Sequence, residues 1–199
     1  VLAFAIMSNH FHLVVYFDPN ASKLWSLRDV AERWLRAFPV SDAEHEEAVE
    51  RLLTQPARLH RYRERLGSLS AFMQHLKQPI AVRINREDSV KGHLFEQRFY
   101  SGALLDANAV LTAMRYVDLN PFRARITQTL QQAEHTSIQR RLAALANAPE
   151  RMDQYLEPLV ASDHSGKSTR STPHPHDAMP QITLRDYIAL LEQTMEQST

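Results

Sequence analysis

The first 17 residues of the chain carry no Asp, Glu, Lys or Arg. Within this segment, Leu13, Val14 and Val15 favour a stiff and buried stretch of chain. Residues 2–16 are rich in β-branched and aromatic side chains, which is typical of a β-strand. We therefore expect a strand, interrupted near Ser8-Asn9 and followed by a turn at Asp18-Pro19-Asn20.

Most of the remaining sequence has the apolar spacing of helices. The pattern predicts helices over residues 26–38, 42–53, 57–66, 68–84, 106–119, 136–147 and 183–195, with Ser26 and Asp106 as caps and Pro79 as a kink. Residues 93–103 are predicted to form a second strand, and the polar residues 161–180 a disordered linker. These elements together predict an α+β chain.

Charge is unevenly distributed along a chain whose net charge is zero. Residues 18–50 carry 4 basic and 8 acidic side chains, residues 51–130 carry 13 and 6, and residues 131–199 carry 6 and 9. The middle of the chain is therefore basic, as a protein that binds a phosphate backbone requires. A solvated basic helix face would give the same count.

Several classes of protein are disfavoured by composition. No apolar run approaches 18 residues, so no transmembrane helix is expected, and no signal peptide is recognisable. Cysteine is absent, which excludes disulfides and thiolate metal sites and fits a cytoplasmic protein. The chain begins inside a predicted strand without an initiator Met, so we expect that a preceding segment is missing.

The predicted first strand carries the motif His10-Phe11-His12. Residues two apart in a strand face the same side, so both imidazoles should point one way and form half of a divalent-metal site. Paired histidines in a strand are also common as ordinary surface or core residues, and the motif by itself leaves both interpretations open.

A second candidate pair, Tyr116 and Asn120, lies at the end of a predicted helix. Residues four apart share a helix face, and Tyr116 lies off the apolar stripe of that helix. The pair could combine a nucleophile with a metal ligand. Alternatively, Tyr116 packs against a sheet and Asn120 is a C-terminal cap before Pro121.

Four stretches, in this order, resemble single-tyrosine HUH transposases of the REP-associated branch. AIMSNHFHLVVY is similar to their histidine–hydrophobic–histidine strand, and RYVDLNPFRA to their tyrosine helix. Between these, LSAFMQHLKQPIAVRINR and GHLFEQRFYSGALLDA are similar to the family's middle helix and its glycine–Phe–Arg strand. The resemblance covers residues 2–17 and 68–127.

The resemblance implies an HUH endonuclease-like αβ sandwich, in which helices pack on an antiparallel sheet that carries the histidine pair. It implies that His10, His12 and Asn120 bind Mg²⁺ or Mn²⁺, and that Tyr116 attacks a phosphate of single-stranded or hairpin DNA. The expected product is a 5′-phosphotyrosine with a free 3′-OH, which a second 3′-OH resolves in DNA transposition.

The same resemblance divides the chain into four parts. Residues 1–130 would form the transposase-like domain, which lacks the family's first strand and carries a helical insertion at 18–67. A helical extension at 131–160, the linker at 161–180 and a short C-terminal helix at 181–199 would follow. We expect a monomer, as in REP-associated members, although insertion-sequence relatives form dimers.

Basic and aromatic residues near the motifs are candidates for contact with DNA. The basic candidates for the backbone are Lys91, Arg98, Arg115, Arg123 and Arg125. Those for stacking on an unpaired base are Phe99, Tyr100 and Phe122, each of which could instead pack in the core. In the insertion, Arg58, Arg61, Arg63 and Arg65 either extend the basic surface or form a solvated helix face.

Two other functions remain open on the sequence. A protein of the same fold could bind DNA hairpins without cutting them. An unrelated metal-dependent hydrolase could use His10 and His12 with water as the nucleophile, and such an enzyme would not need Tyr116.

Overall fold

The structure, a computed structural model, describes residues 1–96, 98–147, 156, 159 and 179–197. Over these residues the chain forms strands β1 (Ala3–Ile6) and β2 (Phe11–Val14) and helices α1 (Ala21–Leu24), α2 (Leu27–Ala37), α3 (His45–Leu53), α4 (Pro56–Leu66), α5 (Leu69–Glu87), α6 (Ala107–Asp118), α7 (Asn120–Arg123), α8 (Ser137–Asn147) and α9 (Leu184–Glu196). A 3₁₀ turn at Asp42–Glu44 precedes α3. The prediction of an α+β chain with an antiparallel sheet is confirmed.

The chain divides into two compact units. The first joins Val1–Tyr16 to Gly102–Thr199, and the second is Phe17–Ser101. The second unit therefore contains α5 as well as the helices of the predicted insertion. The predicted linker at 161–180 lies outside the described residues except for its last two positions.

A β-hairpin forms one wall of the first unit. β1 and β2 pair antiparallel, with Ala3 opposite Val14 and Ala5 opposite His12. The Met7 N–H donates to the His10 carbonyl at 2.8 Å and closes a tight turn. The predicted interruption near Ser8-Asn9 is therefore confirmed as a hairpin turn. Ala3 and Ala5 are fully buried, so the face that they share with His12 is the inner one.

Helix α6 packs on both strands of the hairpin. Its predicted cap is confirmed, since the Asp106 carboxylate accepts from the Ala109 N–H at 2.8 Å. The predicted apolar stripe is buried, and α8 and α9 complete the same core. Its central side chains are Ala3, Ala5, Val110, Met114, Val117, Ile138, Tyr187 and Leu191.

A buried carboxylate joins α6, α8 and α9. Asp118 accepts from the Ser137 hydroxyl, from the Ile138 N–H at 2.9 Å and from the Tyr187 hydroxyl at 2.7 Å. Burial raises the pKa of Asp118, and burial together with the Asp118 charge raises the pKa of the Tyr187 phenol. Each of these four residues is at most 1% exposed, so the network holds the end of α6 from inside the core.

The second unit has a separate helical core. The Ser26 side chain accepts from the Asp29 N–H and the Asp29 side chain bonds back to the Ser26 N–H, which confirms the predicted cap as a capping box. Helices α2, α3 and α4 bury Val30, Ala31, Leu35, Val49, Leu52 and Leu59 against one another. Next to this core, the Trp34 and Tyr62 rings stack with their centroids 3.6 Å apart.

The predicted strand at 93–103 is wrong. Its described residues form no strand, and no described segment pairs with them. The apolar residues come in adjacent pairs rather than in alternation, so neither face of a strand would be consistently apolar. The Tyr100 side chain is 95% exposed. The Lys77 ammonium nitrogen lies 4.3 Å from the centroid of the Phe95 ring. Without a partner strand, the backbone N–H and C=O groups of this segment cannot form the inter-strand hydrogen bonds that a β-strand requires.

Pro79 lies inside α5, which continues through it from Leu69 to Glu87. The helix therefore forms through this position although Pro79 has no N–H to donate, because the apolar residues on both sides keep their helical spacing. None of the helices in the described parts of the chain combines the length and apolar character needed to cross a bilayer.

Candidate active site

Four side chains singled out in the sequence lie together in the first unit. The His10 and His12 ring centroids are 5.0 Å apart, and the His12 and Tyr116 centroids are 5.5 Å apart. Both ring pairs meet edge to face. The Asn120 amide nitrogen lies 3.3 Å from His12 Nε2. His12 therefore lies at the centre of a cluster that contains both imidazoles, the phenol and the amide.

The hairpin fixes the two imidazoles. His12 points toward α6 because it lies opposite the buried Ala5. His10 ends the turn, and its Nδ1 lies 2.7 Å from Asn9 Oδ1. An amide oxygen can only accept, so Nδ1–H donates and the neutral ring keeps its lone pair on Nε2. Sequence reasoning missed Asn9, although a polar residue directly before the motif could have suggested a partner that orients the ring.

The junction between α6 and α7 presents Tyr116 and Asn120. Helix α6 ends at Asp118 and α7 begins at Asn120, with Pro121 in its first turn. The two residues are therefore on consecutive helices rather than on one, yet both face His12. Tyr116 is 45% exposed, off the buried stripe as predicted, whereas Asn120 is buried. The phenol is accessible to a substrate and the amide is fixed against the imidazole.

Burial and the nearby positive charge of His10 lower the pKa of His12. At neutral pH its ring is therefore uncharged, and an uncharged imidazole is the form that ligates a metal or accepts a hydrogen bond. The Asn120 contact is consistent with this state, because the amide N–H donates to His12 Nε2.

In the metal-free protein, His12 should titrate below pH 6.5, its ordinary value. As the pH falls, the unfolded chain then takes up this proton first, so the free energy of unfolding decreases from about pH 6.5 downward through the folded-state pKa. NMR titration of the His12 Cε1–H, assigned with His12→Gln, measures the pKa directly. A His10→Gln variant should raise it, and a His12 pKa at or above 6.5 in the wild type would contradict the prediction.

The cluster offers donors suited to an open metal site. Among the described residues, no group of three or more His, Cys, Asp or Glu side chains is placed to hold a metal ion. The donors here are two imidazoles and one amide, which together leave positions free for phosphate oxygens. Asn120 would present its oxygen after a half-turn of the amide, in which oxygen and nitrogen exchange similar positions. The residue types therefore fit a divalent ion.

The predicted DNA-contacting residues fall into two groups. Arg115, Arg123 and Arg125 belong to the first unit, and the Arg123 guanidinium lies 5.1 Å from the centroid of the Tyr116 ring. Arg123 is thus part of the cluster, a cation beside the phenol. Lys91 and Arg98 are exposed and belong to the second unit.

The aromatic candidates differ in burial. Tyr100 is 95% exposed, which excludes core packing for it in the structure, whereas Phe99 and Phe122 are half-buried. In the insertion, Arg63 donates to the Trp25 carbonyl at 2.7 Å and Arg58 to the Tyr62 hydroxyl at 2.5 Å. These two arginines therefore help to hold the helical unit together.

No protein-family model, no curated protein and no solved structure matches the chain. The chemistry of the cluster is therefore the ground on which a function can be inferred.

Proposed function

We propose that this protein is a metal-dependent DNA strand transferase of the single-tyrosine HUH transposase type. It would nick and rejoin single-stranded or hairpin DNA through a 5′-phosphotyrosine bond. One observation carries the proposal: an exposed tyrosine, two histidines and an amide, distant in sequence, meet in one cluster. In this proposal the hairpin and α6 are parts of an HUH-like αβ sandwich.

Tyr116 is the nucleophile of the proposed reaction. Its phenol oxygen forms a bond to phosphorus and the bond from phosphorus to the 3′ oxygen breaks, so one strand ends as a 3′-OH and the other as a phosphotyrosine. The phenol loses a proton and the leaving 3′ oxygen gains one. The covalent intermediate conserves the phosphodiester energy for rejoining, when a second 3′-OH attacks and releases the tyrosine.

An unperturbed phenol has a pKa of about 10 and is a weak nucleophile at neutral pH. The Arg123 guanidinium, 5.1 Å from the ring centroid, is a positive charge placed to attract an incoming phosphate to this ring. The exposed position of Tyr116 lets the oxygen reach a phosphate without rearrangement of the core.

His10, His12 and Asn120 would hold Mg²⁺ or Mn²⁺. When bound, such an ion stabilises the charge that develops on the scissile phosphate. The protein's part is to orient the His10 ring through the Asn9 contact and to keep the His12 ring uncharged through its burial.

The proposed partner is DNA with an unpaired flank, held by phosphate contacts from the arginines. Arg115 lies on the helix that carries Tyr116, Arg123 lies on α7, and Arg125 follows α7. Lys91 and Arg98, which belong to the second unit, remain candidates for phosphate contact. By the resemblance to REP-associated members we further propose a monomer with its site in cis, and the absence of cysteine fits a location in the cytoplasm.

The test uses hairpin oligonucleotides with single-stranded flanks, labelled at both ends and incubated with the protein and Mn²⁺. A denaturing gel separates free DNA from DNA bound covalently to protein. A protein-linked band supports the strand transferase. Cleavage without that band would instead indicate a hydrolase that uses water, and a hairpin-specific mobility shift without cleavage would indicate a silent DNA-binding protein.

Replacing both His10 and His12 with Ala should weaken Mn²⁺ binding by at least about tenfold and remove the protein-linked band. Isothermal titration calorimetry measures the binding, and circular dichroism checks that the fold is retained. The matched control is His93→Ala, an exposed histidine of the second unit, which should change neither quantity. Equal Mn²⁺ affinity in the double variant and the control would refute the proposed ligands.

A further inference from the structure

The hydroxyl of Ser137, the first residue of α8, links the hairpin to the end of α6. It accepts a hydrogen bond from the Phe4 N–H of β1 at 3.0 Å. Its proton goes to the Asp118 carboxylate, which is closer than the other available acceptor, the Phe4 carbonyl at 3.3 Å. Ser137 and Asp118 are each at most 1% exposed, so water cannot readily replace either partner. One buried hydroxyl therefore joins the strand pair to α6.

Both ends of this link lie next to residues of the candidate site. Asp118 follows Tyr116 by two positions and precedes Asn120 by two. Phe4 directly precedes the β1 residue that pairs with His12. The length of the link therefore sets how closely β2 approaches the junction between α6 and α7, where the ring centroids of His12 and Tyr116 lie 5.5 Å apart.

The hydroxyl of Tyr187 holds the other oxygen of the same carboxylate. Asp118 Oδ2 accepts from this hydroxyl of α9 at 2.7 Å. Oδ1 accepts from the Ile138 N–H of α8 at 2.9 Å and from the Ser137 hydroxyl. Since both oxygens are engaged by different elements, the carboxylate cannot turn without losing a buried hydrogen bond. The end of α6 is thus fixed to β1, α8 and α9 at one point.

Stability alone does not account for a carboxylate at this place in the core. Burying a charge costs free energy that its hydrogen bonds largely offset, and apolar side chains of similar volume often stabilise a core as well or better. Hydrogen bonds differ from apolar contacts in being directional, so a fully satisfied buried group fixes the relative placement of the elements that it joins. Placement matters at a reacting centre, because a displacement of about 1 Å can lower a rate by about a hundredfold.

We propose that Asp118, Ser137 and Tyr187 are positioning residues, which hold the junction between α6 and α7 at a fixed distance from the two histidines. The inference rests on the proposed function, because that distance matters only if the phenol and the metal ligands act on one phosphate. None of the three side chains touches DNA or metal, since each is buried in the core. Ser137 and Tyr187 also lie outside residues 2–17 and 68–127, so the resemblance to the transposases does not supply these contacts.

The experiment compares two hydroxyl variants, Ser137→Ala and Tyr187→Phe, with Val110→Ala, a core truncation at the other end of α6. Each hydroxyl variant removes a single oxygen, so both are expected to fold, which circular dichroism checks. In single-turnover assays with Mn²⁺ they should form the protein-linked band about tenfold more slowly, with hairpin affinity unchanged. Val110→Ala should keep the wild-type rate.

NOESY spectra of the DNA-free protein report the geometry of the site without any reaction. The His12 and Tyr116 rings meet edge to face with centroids 5.5 Å apart, so their protons should give a cross-peak. This cross-peak should weaken in Ser137→Ala and in Tyr187→Phe, and it should keep its wild-type intensity in Val110→Ala.

Asp118→Asn is the conservative variant that tests rescue. The amide keeps one oxygen to accept from Ser137 and Ile138, and its nitrogen can donate to the Tyr187 hydroxyl. It should therefore retain most of the rate of adduct formation, whereas Asp118→Ala should lose at least about tenfold.

Equal losses of rate in Val110→Ala and in the two hydroxyl variants would mean that reduced stability is the cause, and would overturn the inference. A wild-type rate or an unchanged cross-peak in either hydroxyl variant would overturn it as well, while the strand-transferase proposal stands. If the wild type forms no protein-linked band, the transferase is overturned. The positioning role then stands if both hydroxyl variants weaken the cross-peak and the Mn²⁺ affinity measured by calorimetry, and it is overturned otherwise.

Discussion

Tyr116→Phe is expected to abolish the covalent protein–DNA product while leaving hairpin affinity unchanged. The substitution removes only the phenol oxygen that would bond to phosphorus, and the ring keeps its contacts with His12 and Arg123. Loss of the nucleophile should lower the rate of adduct formation by at least about a thousandfold. Single-turnover assays on labelled hairpins, with Mn²⁺ present, measure this rate.

The matched control for this variant is Tyr100→Phe. Tyr100 is 95% exposed and belongs to the second unit, so its hydroxyl supports neither the core nor the cluster. Its adduct rate should equal that of the wild type. Retained cleavage in Tyr116→Phe, with or without a protein-linked band, would exclude Tyr116 as the nucleophile.

Asp118→Ala is expected to lower the free energy of unfolding by about 3–5 kcal/mol. The carboxylate accepts hydrogen bonds from Ser137, Ile138 and Tyr187, all fully buried. Without it, the Ile138 N–H and the Tyr187 hydroxyl lose this acceptor in the core, whereas the Ser137 hydroxyl still has the Phe4 carbonyl at 3.3 Å. Each unsatisfied group costs about 1–3 kcal/mol. The costs are not additive, because the smaller alanine leaves room for rearrangement. Urea denaturation measures the change.

Two further variants distinguish the stability that the hydrogen-bond network contributes from the effect of simply removing a carboxylate charge. Tyr187→Phe removes one of the three hydrogen bonds and should cost about 1 kcal/mol. Glu192→Ala removes an exposed carboxylate from α9 and should stay within about 0.5 kcal/mol of the wild type. A loss below about 1 kcal/mol in Asp118→Ala would mean that the buried carboxylate contributes little net stability.

Local sequence patterns predicted a large part of the site. The His10 and His12 pair needed only the two-residue period of a strand, and the turn near Ser8-Asn9 needed only its turn residues. The caps at Ser26 and Asp106 were likewise predictable, because a capping side chain acts on backbone two or three positions away. Each of these features is determined by residues that are close together in the sequence, so the sequence alone is enough to predict it.

Features that depend on distant partners were not predictable from the residues alone. The bridge from Asp118 to Tyr187 joins positions 69 apart, and no spacing rule links them. The failed strand at 93–103 has the same origin, since strand formation depends on a partner as much as on composition.

The contact between His12 and Asn120 spans 108 residues, most of them in the second unit. Helices form on the microsecond scale or faster from local contacts, whereas contacts of large sequence separation must first overcome the entropy of closing a long loop. A refolding chain should therefore regain most of its helical signal before the imidazoles and the phenol meet. Competence to react would be the last property to return after dilution from denaturant, and its delay would report the closure of the hairpin onto α6.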